Sequence, residues 1–246
     1  MKKKIIFILF VLMQTIVLAQ EKKSGLNISF KGGITIANMY GSGVESKTFL
    51  NGDTPADFYA NNPASSKFKN GTNFGVLIDY RIGKYFSIGF GANYIQKGTR
   101  INTVGHWNSD LQIYETVTGK VNWIQNYRTF DIPITFYLPF KQNDVFIKVG
   151  VFKGKLLNSE EKGKIEIQGK KYSYINERGA NDKESGFLLG CGYIHSLPKR
   201  FGNIFIDFEW SRSILNSYGR DLIPNPNYYY NQTISVSVGY RYYFVL

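Results

Sequence analysis

The chain has 246 residues, a formal net charge of +12, 16% aromatic residues and 25 glycines. Its single cysteine, Cys191, excludes a fold stabilised by internal disulfides. No long apolar run follows residue 19, which excludes transmembrane helices, whereas the richness in aromatic residues and glycine suits an all-β architecture.

The first 19 residues have the pattern of a secretory signal peptide. Three lysines precede an apolar run from Ile5 to Leu18, and the expected cleavage point is Ala19/Gln20. An uncleaved anchor is the alternative, but the run is shorter than the roughly 20 residues of a spanning helix. Cleavage lowers the formal net charge from +12 to +9, because residues 1–19 hold three lysines and no acids. For an exported protein, this excess favours anionic lipid head groups or acidic glycans over nucleic acid as partners.

The remainder, residues 20–246, is predicted to be one domain of alternating apolar and polar residues. The last segment is the clearest, since Ile234, Val236 and Val238 alternate with serine and glycine. Pro133 removes a ladder hydrogen bond, so a bulge or local irregularity is expected in the fourth segment. The eight predicted strands are 26–38, 72–82, 85–97, 122–138, 144–153, 186–196, 203–214 and 232–244.

The connections between these strands alternate between short and long. The short ones are 83–84, 139–143 and 197–202, and the long ones are 39–70, 98–121, 154–185 and 215–231. Small hairpins are expected at 165–172 and at a turn around Gly119-Lys120. This alternation predicts an antiparallel up-and-down transmembrane β-barrel of about eight strands, with long external loops and short periplasmic turns, in the cell outer membrane. A soluble secreted ligand-binding barrel, with its charged face outside, is the alternative.

The polar face of the predicted strands carries four cations and four anions. An eight-stranded barrel is about filled by its side chains, so we expect these charges to form a structural network in the lumen and not a pore. The eight residues are Lys31, Asp79, Arg81, Asp131, Lys148, Asp207, Glu209 and Arg241. Neighbouring strands predict that Lys31 faces Asp79, that Asp131 faces Lys148, and that Asp207 and Glu209 face Arg241.

Five stretches carry recognisable strand motifs, namely Phe30 to Asn38, Phe130 to Ile134, Phe146 to Val151, Gly190 to Tyr193 and Asp207 to Ser213. In these motifs the chain resembles the PorT-type outer-membrane β-barrel family, from about Leu26 to its end. The final strand is similar to the signal read by the barrel-insertion machinery, with Ser237, Gly239, Tyr242 and Phe244 in the characteristic places, although two residues follow the last aromatic. The resemblance implies that this machinery is a partner during biogenesis. One branch of the family is linked to protein secretion, which makes envelope assembly or secretion a candidate role.

No catalytic, metal or cofactor site is predicted. His106 lies beside Ser109 and Asp110, and His195 is followed by Ser196, but adjacency in the sequence does not show that a serine, a histidine and an acid converge in space. Asp53 and Asp57 match no EF-hand spacing, and no glycines form a phosphate cradle. We therefore expect a structural or binding protein that acts through its external loops. The alternative function is an outer-membrane enzyme acting on lipid or peptide.

Overall fold

The computed structural model describes residues 24–108, 113–140, 143–197, 202–214 and 228–245. The predicted signal peptide and most of the predicted loop 215–231 lie outside these residues. No helix within the described ranges is long and apolar enough to cross a membrane. The strands are β1 (Gly25–Tyr40), β2 (Lys47–Asn51), β3 (Tyr59–Ala60), β4 (Lys69–Ile82), β5 (Phe86–Asn108), β6 (Ile113–Phe140), β7 (Asn143–Ile167), β8 (Lys170–Glu177), β9 (Lys183–Ser196), β10 (Asn203–Ser213) and β11 (Tyr230–Val245).

Eight of these strands close into an antiparallel ring. The order is β1, β4, β5, β6, β7, β9, β10, β11 and back to β1. The closing pair runs from Gly25 opposite Val245 to Tyr40 opposite Tyr230. Closure leaves no unpaired strand edge in the ring, as spanning a bilayer requires. The predicted eight-stranded up-and-down barrel is therefore confirmed.

Three strands extend much further than the sequence pattern predicted. β5, β6 and β7 have 23, 28 and 25 residues, so the predicted loop 98–121 and much of the predicted loop 154–185 are wrong. Gly119 and Lys120 pair with Thr103 and Asn102 inside the β5–β6 ladder, and no turn lies there. These stretches were predicted to be loops because they are long and polar, whereas in the structure the strands continue beyond the lipid boundary.

The predicted hairpin at 165–172 is confirmed. β7 and β8 are joined at Gln168 and Gly169, which both have positive φ, 49° and 77°. A two-residue connection with both residues in this region matches the twist of the paired strands.

At Pro133, strand β6 continues without a register shift, but the described pairs with β5 skip from Ile134 to Asp131. The irregularity expected there is a gap in the ladder and not a bulge.

The barrel wall is apolar outside and polar inside over its lower part. Near the short connections 83–85, 141–142 and 197–202, which define the short-turn end, outward side chains form an apolar belt. Its members include Phe30, Ile34, Phe74, Phe90, Phe130, Ile132, Ile147, Val151, Phe187, Phe208 and Val238. Several are more than half exposed, such as Phe74 at 60%. A continuous belt of this size faces lipid and not water, which is the reverse of a soluble barrel.

Towards the opposite, long-connection end, this polarity reverses. Ile101, Val121 and Ile165 point inward and are 0–3% exposed, while polar residues such as Lys120 and Lys164 point outward. The upper parts of β5, β6 and β7, together with β2, β3 and β8, enclose this second core, and we call the whole region the outer lobe. Its core cluster is Leu50, Phe58, Ala60, Ile101, Val117, Val121, Ile165, Ile167 and Tyr174. Because an apolar interior with a polar exterior is stable only in water, the reversal marks where the membrane ends.

Candidate functional site

The centre of the lumen holds an ion-pair cluster built by strands that are not neighbours. Lys148 Nζ lies 2.6 Å from Asp207 Oδ2 and 2.7 Å from Glu209 Oε2. Lys31 Nζ lies 3.5 and 3.4 Å from the same two oxygens. The side chains are 4–12% exposed, so the two carboxylates and two ammonium groups compensate one another away from bulk water.

A second cluster surrounds Arg241. Its Nε donates to Ser29 Oγ at 2.9 Å, and its Nη1 donates to the Tyr137 hydroxyl at 3.0 Å. Its Nη2 lies 3.5 Å from Asp79 Oδ1, and Asp79 also accepts from Asn27 Nδ2 at 2.8 Å. The planar guanidinium thus ties its own strand, β11, to β1, β4 and β6 through several donors, as arginine geometry allows.

The remaining two residues of the predicted network, Arg81 and Asp131, have other partners. Arg81 Nη1 lies 2.8 Å from Asp144 Oδ2, near the short-turn end. Asp131 Oδ1 accepts from Asn93 Nδ2 at 2.6 Å. All eight predicted residues therefore point into the lumen, but the partners differ from the expected neighbours.

Glycines explain why the charged side chains reach across the lumen. Lys31 lies opposite Gly75 and Gly239, and Gly190 lies opposite both Lys148 and Glu209. A Cβ on Gly190 would approach the Lys148 side chain to 2.5 Å. These glycines leave room for the long side chains to extend across the lumen. The pairing between adjacent strands that the sequence suggested therefore does not form.

One buried ion pair was missed altogether. Lys97 Nζ lies 2.6 Å from Glu184 Oε1, with side chains only 2% and 1% exposed. Lys97 also lies 4.8 Å from the ring centre of Phe152. The predicted strand boundaries placed Glu184 in a loop. Continuing the alternation of β9 from Gly186 back to residue 184 would have put Glu184 on the inward face.

Two small cavities lie among the described residues of the lumen. A cavity of about 20 Å³, lined in part by Lys31, Asp131 and Arg241, has room for about one water molecule. A second cavity of about 10 Å³ lies beside Lys97 and Glu209. Neither is large enough for a solute.

The four residues of the predicted assembly signal lie on β11. Ser237 is buried and its hydroxyl is 3.1 Å from Asn73 Oδ1. A Cβ on Gly239 would collide with the Phe205 ring and with the backbone carbonyl of Phe30, so this position requires glycine. Tyr242 and Phe244 point outward, are each 42% exposed, and contact each other edge to face at 4.7 Å.

A buried carboxylate joins the two edges of the outer lobe. Glu161 on β7 accepts from the Ala60 amide at 2.6 Å and from the Tyr174 hydroxyl at 2.7 Å. Arg178 lies 3.4 Å from its other oxygen and donates to the Ala60 carbonyl at 2.8 Å. Burial raises the pKa of Glu161, although these hydrogen bonds and the arginine oppose the change. Side-chain bonds thus hold the segment around β3 against β7 and β8 and close the lobe.

The tip of the outer lobe presents three exposed aromatic side chains. Phe49, Trp107 and Tyr114 are 46%, 38% and 68% exposed. The ring of Tyr114 lies 5.6 Å from that of Phe49 and 4.9 Å from that of Trp107. These three residues, here called the aromatic tip, form one contiguous surface on the paired strands β2, β5 and β6.

The histidines show no catalytic arrangement in the described part of the chain. His106 Nε2 lies 2.6 Å from the Gly52 carbonyl, and its Nδ1 lies 3.5 Å from Glu115 Oε2. Neither described partner is a hydroxyl or thiol. His195 lies on the outward face of β9. Asp57 accepts a hydrogen bond from the Thr54 hydroxyl. No group of three or more potential metal ligands occurs among the described residues.

Comparison with known proteins gives a family match over nearly the whole chain. The model of the outer membrane protein beta-barrel domain matches residues 5–242. No curated protein matches in sequence. Among solved structures, Ail of Yersinia pestis has 13% identity and a TM-score of 0.37, covering 89% of this chain and 99% of that one. OprG of Pseudomonas aeruginosa has 10% identity and a TM-score of 0.42, covering 92% and 98%. The outer membrane protease OmpT of Escherichia coli has 11% identity and a TM-score of 0.39, covering 92% and 98%. At this similarity, the three structures carry no argument about what this chain does.

Proposed function

This chain belongs to the outer membrane protein beta-barrel domain family, and from that premise we propose that it is a non-conducting membrane anchor for an external binding surface. The charged lumen holds the barrel shut, and the outer lobe binds a partner in the envelope or outside the cell. In this assignment the long-connection end faces the outside and the short turns face the periplasm.

The observation that carries the proposal is the outer lobe with its own apolar core. A barrel needs only about 9–11 residues per strand to cross the bilayer, yet β6 has 28. The additional length of β5, β6 and β7 builds a folded platform fixed by Glu161 and Arg178. Exposed aromatic side chains on a rigid support are typical of binding surfaces, because they bury much area at a small entropic cost.

An enzymatic role is the second candidate, and His106 with Glu115 is the only described histidine–carboxylate pair. A hydrolase site needs a nucleophile or an activated water beside such a pair. His106 is 4% exposed and is packed against Phe58, with 5.1 Å between the ring centres. This burial favours a structural role, in which His106 holds the segment around Gly52 against the lobe.

Membership of the PorT-type branch, and with it a role in envelope assembly or secretion, is a finer proposal. It is supported by the strand motifs, three of which provide the central charges, Lys31, Lys148 and Asp207 with Glu209. The test is deletion of this protein. The proposal predicts that the amount of secreted protein then falls while other barrels still insert normally.

The binding proposal is tested by cross-linking in native membranes followed by mass spectrometry. The variant with Trp107→Ser and Tyr114→Ser is compared with Ile175→Ser, which removes an exposed apolar side chain of the same lobe, 64% exposed, away from the aromatic tip. All three proteins should fractionate with the membrane and shift on gels upon heating. We expect the double variant to lose the cross-linked partner and the control to keep it. Equal cross-linking in all three, or recovery of a soluble protein, would contradict the proposal.

A further inference from the structure

Four cations form a compact patch on the outer surface of the barrel, at the long-connection edge of the apolar belt. Arg128 on β6, Lys153 and Lys155 on β7, and Lys183 on β9 are all exposed. Arg128 lies directly opposite Lys155, and Lys155 lies directly opposite Lys183. We call these four residues the basic row.

The basic row has no compensation within the described protein. None of the described ion pairs includes any of its four residues. Two acids flank Lys183 in the sequence: Glu184 points inward to Lys97, and Asp182 is exposed and belongs to none of the described ion pairs. Like charges directly opposite on adjacent strands destabilise a sheet. Three in a line therefore repel one another unless an anion lies between them.

The row occupies one side of the barrel only. On the opposite side, the outward residues Asn38, Thr72, Gln96 and Gln232 at the same edge of the belt are neutral. Arg212 on β10, opposite Gln232, is an outward cation too, but its guanidinium lies 3.7 Å from the ring centre of Tyr40. A generally basic surface would distribute its charges around the ring. Concentration on β6, β7 and β9 indicates a defined site for an anion.

Directly below the row, the outward side chains are apolar. Phe130 pairs with Lys153 across the β6–β7 ladder, and Val151 and Phe187 form the next pair towards the short turns. A lipid whose acyl chains lie along Phe130, Val151 and Phe187 would place its phosphate among the cations. A soluble anion would use the cations alone and would gain nothing from these apolar neighbours.

We propose that the basic row binds the phosphate of an anionic lipid in the leaflet at the long-connection end. The lysines donate to the phosphate oxygens as mobile point charges, and Arg128 adds a planar donor pair. Each cation near an anionic membrane surface strengthens binding about fivefold at physiological salt. Bound lipid also relieves the repulsion along the row, so the barrel is more stable with the lipid than without it.

The test uses the purified full-length barrel in nanodiscs of phosphatidylcholine and phosphatidylglycerol, with retained lipid measured by native mass spectrometry. The patch variant is Lys153→Gln, Lys155→Gln and Lys183→Gln. The control is Lys164→Gln, Lys170→Gln and Lys171→Gln, which removes the same charge from exposed positions of the β7–β8 hairpin, away from the belt. We expect the wild type to prefer phosphatidylglycerol, the patch variant to lose at least tenfold of that preference, and the control to stay within twofold.

A single substitution and a competition experiment provide two further tests of lipid retention. Lys155→Gln, at the centre of the row, should lower the preference about fivefold even if the triple variant folds poorly. Inorganic phosphate at 10 mM should not displace the lipid, whereas 0.5 M NaCl should weaken its retention. Equal losses in patch and control variants would show that net charge alone acts. Displacement by inorganic phosphate would show a soluble-anion site, and either result overturns the proposal.

Discussion

Replacing Lys148 by methionine should destabilise the barrel more than any exposed charge substitution. The change keeps most of the side-chain volume and removes the ammonium group that lies 2.6 and 2.7 Å from Asp207 and Glu209. Two carboxylates, 4% and 9% exposed, then share only Lys31 at 3.5 and 3.4 Å.

The expected magnitude follows from the burial of the remaining charges. Removing one partner of a buried pair costs about 3–5 kcal/mol, since the other charge is left uncompensated. With a urea m-value of about 2 kcal/mol per M, the unfolding midpoint should fall by about 2 M. Combining Lys148→Met with Glu209→Gln should cost much less than the sum, because one ammonium group, Lys31, and one carboxylate, Asp207, then remain to compensate each other.

The assay is reversible urea unfolding in lipid vesicles, followed by the heat-dependent gel shift of the folded barrel. Lys162→Met is the matched control, because it lies on the same strand and pairs with Glu160 at 2.9 Å while its side chain is 43% exposed. An exposed pair of this kind contributes about 0–1 kcal/mol. Equal, small effects of the two methionine variants would refute a dry, charge-compensated lumen.

Three further predictions concern orientation, pH and assembly. In a Cys191→Ser background, a cysteine at Gln168 should react with a membrane-impermeant maleimide on intact cells, whereas one at Lys84 should react only after lysis; the reverse labelling would invert the topology. Because burial raises the pKa of Glu161 above its ordinary value, the folded lobe binds the proton more tightly than the unfolded one. Its stability should therefore be greatest below the ordinary pKa and should fall as the pH rises through the raised one. Hydrogen exchange in β8 between pH 5 and pH 8, corrected for intrinsic rates, should show this trend in the wild type and lose it in Glu161→Gln; an unchanged trend in that variant would assign it to another group. Finally, Phe244→Ala should lower the amount of inserted barrel several-fold while Tyr59→Ala, on the outer lobe, should not, as measured by the heat-modifiable fraction in membranes; normal insertion would show that the resemblance of β11 to an assembly signal is incidental.

The barrel itself could be predicted from the sequence because two local signals agree. Period-two alternation, as in Ile234, Val236 and Val238, identifies each strand and its lipid face. The short connections at 83–85 and 197–202 fix which strands pair. Both signals depend on neighbouring residues, so no long-range information is needed.

The outer lobe could not be predicted by the same approach, because its polarity is reversed. Above the lipid boundary, residues such as Ile101 and Ile165 are apolar and inward, which breaks the pattern that identified the lower strands. The pairing of β2 with β5 is parallel and joins residues about 55 positions apart. Such contacts are set by packing in three dimensions and leave little trace in local alternation.

The ion-pair partners in the lumen could not be predicted from the sequence for a related reason. Alternation shows that Lys31 and Asp207 point inward, but not that they meet across the barrel, because β1 and β10 are separated by β11. The positions of Gly75, Gly190 and Gly239 beside the long side chains decide which charges meet. Glycine next to an inward lysine is the signal that could have been used.

The most direct measurement of the central claim, a barrel held shut by its own charges, is single-channel recording in planar lipid bilayers. The purified wild-type protein is inserted from detergent, and folding is checked in the same preparation by the heat-dependent gel shift. Because the cavities described beside Lys31 and Lys97 measure about 20 and 10 Å³, no steady conductance should appear in 1 M KCl at up to 100 mV. Stable, reproducible open channels in the wild type would show a continuous aqueous path through the lumen and would contradict the account.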